Sequence, residues 1–292
     1  MKFGINNPAF LQMAGNRASS SKEFISLVDE ADTLTIRSLT AEGNVTVIST
    51  YNGETVKVKQ SSPYQAELYI PHDPGTALTL VGKIEELDIS PVDEFEPGTV
   101  TMLDVTNAQS LRRLNCFNNP LGALDVVNNL ELESLSCYGT QISTLDLSSC
   151  TKLRQLSCGN TNITSLDLSS CTQLQRLYCN ATGLTSLDVV NNPELTEIIC
   201  ENNRISTLDL SSCTKLMHLD CGYTDIMSLD LSNNTELESL EIRYTQFTEL
   251  DVSNNSKLTT LNAMGSEITA IDLNNNPEIT YLDFVYSHIH DL

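Results

Sequence analysis

The stretch Leu111–Val126 reads LRRLNCFNNPLGALDV, and the same arrangement returns as LRQLSCGNTNITSLDL over Leu153–Leu168 and as LMHLDCGYTDIMSLDL over Leu216–Leu231. Two columns carry the period. Cys116, Cys137, Cys158, Cys179, Cys200 and Cys221 recur at a step of about 21 residues, a spacing that marks a repeat architecture. Asp104, Asp125, Asp146, Asp167, Asp188, Asp209, Asp230, Asp251 and Asp272 keep the same step, each held between aliphatic residues as in Leu145-Asp146-Leu147. Each unit reads L-x-x-L-x-C-x-x-(N/T/S)-x-(L/I)-x-x-L-D-(L/V).

Alternation within L-x-C is the strand period, so Leu114 and Cys116 face inward while Asn115 faces solvent. One short strand forms per unit, and stacking at about 4.8 Å joins these strands into a parallel sheet. L-D-L alternates as well, which places a second extended segment on the opposite side with leucines inward and Asp outward. No unit can bury its leucines alone, so only the stack is stable.

The first eleven positions of the unit resemble the consensus of leucine-rich repeats, from about Val100 to the C-terminus and over about nine units. The L-D-L-S-N-N/C-T tail is similar to repeats common in surface and secreted proteins of Bacteroidetes, and more distantly to bacterial internalins. The resemblance implies a right-handed leucine-rich-repeat solenoid, an arc with a parallel concave sheet and extended convex segments. It also implies a binding role without catalysis and a cell-surface or secreted setting. Heavy use of Thr and Ser at the position where the family usually carries Asn (Asn119, Thr140, Thr161, Thr182, Asn203, Thr224, Thr245, Ser266, Ser287) departs from a full amide ladder but keeps a polar one.

Ahead of the repeats, TLTIRSL, NVTVIST, ETVKVKQ, AELYI and ALTLVG are short β-branched or alternating runs separated by turn residues. They predict a small all-β, sandwich-like unit of the immunoglobulin or PKD kind over 33–98, with a hairpin turn at Asn52-Gly53, covering the apolar end of the first repeat. Leu87–Ser90 (LDIS) reads as a strand docking this cap onto the repeats of 99–292. Residues 1–32 are expected to hold one short helix in SSSKEFISLVDEAD, with Phe24, Ile25 and Leu27 apolar and Ser21 as N-cap. The opening MKFGINNPAFLQMAGNRASS lacks the apolar run of a signal peptide.

The net charge of −22, with 16 basic against 38 acidic residues, disfavours nucleic acid and anionic membranes as partners. No apolar run is long enough for membrane insertion. The cysteine column could form a disulfide ladder, a metal site or a row of small apolar side chains. Packing is preferred, because Ile242, Ala263 and Phe284 take over the position in later units and parallel Cβ vectors suit a disulfide poorly. Cys150, Cys171 and Cys213 stand where Asn129, Asn192, Asn234, Asn255 and Asn276 stand in other units and read as turn residues. The Asp column is expected to accept hydrogen bonds from the following turn; calcium is the alternative reading, without a D-x-D-x-D-G loop to support it. His288 and His290 lack an evident third ligand, so neither metal nor cofactor is expected. No nucleophile, phosphate-loop or zinc-protease motif occurs.

Function should then lie on the concave face. Its candidate residues are Tyr138, Arg176, Tyr178, Glu197, Glu201, His218, Asp220, Glu241, Arg243, Tyr281 and Asp283, with Tyr223, Tyr244 and Tyr286 in the adjoining column. Exposed tyrosines give contact area with a polar tip at little entropic cost. The expected ligand is a protein, with a glycan as the alternative and an inert spacer as the third reading.

Overall fold

The computed structural model of the protein describes residues 23–51, 54–60, 68–93 and 96–290. Seven strands come first: β1 (Phe24–Asp29), β2 (Thr33–Ile36), β3 (Ser38–Tyr51), β4 (Glu54–Gln60), β5 (Leu68–Pro71), β6 (Ala77–Asp88) and β7 (Val100–Asp104). Nine three-residue strands follow, one per unit: β8 (Arg113–Asn115), β9 (Ser134–Ser136), β10 (Gln155–Ser157), β11 (Arg176–Tyr178), β12 (Glu197–Ile199), β13 (His218–Asp220), β14 (Ser239–Glu241), β15 (Thr260–Asn262) and β16 (Tyr281–Asp283).

Strands β8 to β16 pair in parallel and in register, so Leu114, Leu135, Leu156, Leu177, Ile198, Leu219, Leu240 and Leu261 form one row. All eight side chains are buried. The six-cysteine column lies beside them, free of disulfides and fully buried, with Ile242 and Ala263 continuing it. In L-D-L the aliphatic residues are buried or nearly so, as at Leu145 and Leu147, while the Asp between them is exposed. This segment carries no ladder except at the start, where β7 pairs with β1.

The cap is all-β, and its larger sheet runs on into the solenoid. β6 pairs in parallel with β8 through Leu87↔Leu114, so Glu86–Asp88, which includes the first half of LDIS, acts as the strand of a zeroth unit. β1 lies antiparallel between β6 and β7, carrying the sheet around the end of the stack; β3 pairs with β6 and β4, and β2 with β5. Phe24–Asp29 is therefore a strand where the sequence predicts a helix. Ile25, Leu27 and Asp29 are fully buried on one face, and pairing on both edges outweighs local helical tendency over so short a run. Ser21 and the Asn52-Gly53 turn lie outside the described residues.

Two polar joints lock the cap. His72 is completely buried; its Nδ1 donates to the Asp73 carbonyl and its Nε2 meets Asp29 Oδ2 at 3.1 Å. Asn119 accepts from the Val100 amide and donates to the Ile89 carbonyl, binding the first repeat to both sides of the Ser90–Thr99 loop. Gly98 is required there: a Cβ would overlap the Asn119 carboxamide. An Arg113–Glu86 ion pair and the Glu23 carboxylate on Ser110 complete the joint.

Candidate functional site

Side chains reach the concave face from three positions per unit, the two outer residues of each strand and the second residue after it. Arg176, Glu197, His218 and Tyr281 share the first position, Tyr178, Asp220, Glu241 and Asp283 the second, and Tyr138, Glu201 and Arg243 the third. The next residue turns the chain out of the sheet, and in every unit it has a positive φ: Asn118, Gly139, Asn160, Ala181, Asn202, Tyr223, Tyr244, Gly265 and Tyr286. Asn and Gly tolerate this left-handed region. A bulky aromatic is an outlier there, and three occur, at φ 53°, 51° and 62°.

The structure gathers the later candidates into a connected patch. Arg243 reaches back two units: its Nη2 lies 3.1 Å from Glu201 Oε2 and 2.9 Å from Asp220 Oδ2, and its Nε lies 3.3 Å from Glu241 Oε2. Gly222 makes that reach possible. It fills the Glu201–Arg243 column in the intervening unit, where a Cβ would stand 3.1 Å from the Arg243 carbonyl. Burial works against the Arg243 charge, but Asp220, Glu241 and Glu201 outweigh it and hold the guanidinium above its ordinary pKa. Burial, with the Asp220 charge, in turn pushes the Glu201 and Glu241 carboxyls up despite Arg243. One cation is too few for three carboxylates.

Tyr223 and Tyr244 stack with centroids 4.8 Å apart and planes 26° from parallel, each residue 42% exposed. Gly265 leaves room for them, since a Cβ there would lie 2.6 Å from the Tyr244 ring. Tyr178 donates its hydroxyl to Glu197 at 2.7 Å; burial and this carboxylate push the phenol up to about 12. Tyr281 donates to Asp283 at 3.3 Å, and Tyr286 stands 78% exposed. Tyr138 lies apart, stacked on Phe117 at 5.4 Å, with its ring over Gly159. The glycines were missed from sequence, although C-G-N at 158–160 and C-G-Y at 221–223 signal them.

The remaining columns hold the stack together. Each Asp of the nine accepts the backbone N–H two residues on, at 2.9 to 3.0 Å, as from Ser148 to Asp146 and Asn274 to Asp272. Hydrogen bonds from the following serine hold the Asp146, Asp167, Asp209, Asp230 and Asp251 carboxyls below their usual range. Among the described residues, no group of three or more His, Cys, Asp or Glu could hold a metal ion.

The inter-unit amide ladder runs where the sequence suggests only turn residues. Asn129, Asn192, Asn234, Asn255 and Asn276 are buried and each donates Nδ2 to two carbonyls of the preceding unit, as Asn234 does to Leu210 at 3.1 Å and Cys213 at 2.8 Å. Their Oδ1 atoms find no partner, which offsets part of that gain and explains how Cys150, Cys171 and Cys213 can stand in. The Thr column instead bonds within its own unit, as Thr140 Oγ1 does to the Cys137 carbonyl at 2.7 Å.

A family model described as leucine-rich repeats (2 copies) matches residues 131–170 and 151–192. The chain is also similar to the functional domain of InlJ from Listeria monocytogenes, described as including a cysteine ladder, with 31% identity, a TM-score of 0.59 and coverage of 66% of this chain and 48% of that one. The fold is a leucine-rich-repeat solenoid. The repeat fold is shared with a leucine-rich-repeat protein of Leptospira interrogans (18% identity, TM-score 0.61, 64% of this chain, 52% of that one). It is shared too with the internalin InlF of Listeria monocytogenes (20%, 0.56, 71% and 69%). The chain spans about half the length of the InlJ domain and of the Leptospira protein. No curated protein matches it. Among the described residues, no helix is long and apolar enough to cross a membrane.

Proposed function

We propose that this leucine-rich-repeat protein is a non-enzymatic recognition module that binds a protein partner through the concave face of its repeats. The observation that carries the reading is the run of tyrosines at positive φ. Tyr223, Tyr244 and Tyr286 occupy a backbone position that costs an L side chain roughly 1–2 kcal/mol, and five of the six other units put Asn or Gly there. Strain retained at an exposed position points to a use. The internalin-like repeats support a surface or secreted setting.

The test is capture on protein and glycan arrays by three folded chains: the native protein, a variant with Tyr178, Tyr223, Tyr244 and Tyr281 replaced, and D146N/D209N on the convex side. A protein ligand held by the first and third but lost by the second is the expected result. A ligand that all three hold equally would move the site to the cap, and one lost only by D146N/D209N would move it to the Asp column; hits confined to glycans would replace the protein partner with a sugar.

A further inference from the structure

We propose that the patch around Tyr223, Tyr244, Glu201 and Glu241 binds arginine side chains of the protein partner, the guanidinium lying on the stacked rings and pairing with the neighbouring carboxylates. This inference rests on the concave-face reading above and gives that face its ligand chemistry.

Two independent features point the same way. The first is charge. Glu201, Asp220 and Glu241 share the single Arg243, which lies within 3.3 Å of all three, so the cluster keeps a surplus of two negative charges while half withdrawn from water. The lysines that could neutralise it are engaged elsewhere: Lys152, Lys215 and Lys257 pair with Glu131, Glu194 and Glu236 on the flank of the stack. A half-buried charge lacking its full complement of partners is stabilised by an incoming cation more than an exposed one is, because the local dielectric is lower.

The second is the aromatic shelf. Tyr223 and Tyr244 follow Gly222 and Arg243 directly in the chain, so the stacked pair occupies the column next to the acidic one. A planar, weakly hydrated guanidinium gains from stacking on such a face while its N–H groups remain free for carboxylates; a compact ammonium gains less.

The probe is an alternating Gly-Arg dodecapeptide carrying a fluorophore, with the Gly-Lys and Gly-citrulline peptides as controls, followed by anisotropy with the whole chain at near-physiological salt. Because any polycation is attracted to a chain of net charge −22, the comparison among variants decides. The Gly-Arg peptide is expected to bind about five- to tenfold more tightly than Gly-Lys, and the citrulline peptide not to bind measurably. Y223N/Y244N, which puts at both positions the residue that Asn118, Asn160 and Asn202 already supply, is expected to abolish the Arg-over-Lys preference. E201Q/E241Q is expected to weaken the Gly-Arg peptide by about tenfold or more, and D146N/D209N, removing equal charge from the convex side, by less than about twofold.

Equal affinity for Gly-Arg and Gly-Lys, equal loss in the convex and concave charge variants, or no binding of Gly-Arg by the native chain would each overturn the proposal. If an array ligand is captured through the concave tyrosines while Gly-Arg neither binds nor displaces it, the guanidinium chemistry falls and the concave-face reading stands. If Gly-Arg binds as expected but the array ligand is indifferent to the concave variants, the reverse holds.

Discussion

Replacing Tyr223 and Tyr244 by Asn, singly and together, separates backbone strain from ring stacking in one thermodynamic cycle. Each tyrosine sits at φ near 50°, where an L side chain costs roughly 1–2 kcal/mol and Asn distinctly less, so each exchange relieves about 1 kcal/mol. The pair also stacks at 4.8 Å, an arrangement contributing about 0.5–1.5 kcal/mol that either single exchange destroys. Y223N and Y244N alone should therefore change stability by about zero, relief cancelling loss. The double variant gains relief twice and loses the stack once, so it should be more stable than the native chain by about 1 kcal/mol, the cycle showing a coupling of that size. Urea unfolding followed by circular dichroism, with the slope unchanged, measures all four corners. Additive gains in the single variants would show that the rings do not stabilise each other. A double variant less stable than the native chain would show that the positive φ is not strained, removing the main support for a functional ledge.

The cysteine column makes a pH statement. Burial pushes the Cys116, Cys158 and Cys200 thiols up to about 12, and Cys137, Cys179 and Cys221 also well above the ordinary value. Because thiols of the unfolded chain ionise near about 8.5, this stability is fully present below that pH and is lost as pH rises toward the folded value, at about 1.4 kcal/mol per thiol per pH unit. Steep alkaline unfolding above pH ~9 is expected, with its midpoint moved upward by C179V and the thiols inert to Ellman's reagent at pH ~8 until the chain unfolds; a midpoint unmoved by C179V would contradict the cause. In the cap, D29N removes the carboxylate that His72 Nε2 meets, and urea unfolding should report a loss of about 1–2 kcal/mol. N234A should cost about 2–3 kcal/mol, since two buried carbonyls lose their donor, and N234C less, because the neighbouring unit already carries Cys213 there; equal costs would mean the ladder acts by packing alone.

What the sequence made legible follows from the geometry of stacking. A side chain in this solenoid packs against the same position of the unit before and after it, so columns such as Leu114–Leu261, Cys116–Cys221 and Asp104–Asp272 repeat their own solution and can be read by eye. β1 could not be read in that way. Its apolar residues fit a helix or a strand equally over six residues, and only contact with β6 and β7, distant in sequence, decides between them. The Asn129 column reads only as turn residues for a related reason: its bonds run to carbonyls 21 and 24 residues back, and a backbone acceptor leaves no mark in the sequence.

The same geometry says where to look for function. In a column set by its neighbours, a departure that stability does not favour is informative, whereas one that packs equally well is not. Ile242 in place of cysteine belongs to the second kind, because it is buried in the same row and fills the same space. Tyr223, Tyr244 and Tyr286 belong to the first, because Asn or Gly would hold the same turn at lower cost. Arg243 is a departure of the same sort: it spans two units over Gly222 to reach carboxylates whose own repulsion it only partly offsets. Both kinds of costly departure fall within the same few units, beside each other in the chain at Arg243-Tyr244, and their coincidence supports the proposed recognition surface there over one along the uniform, self-satisfied Asp column on the other side.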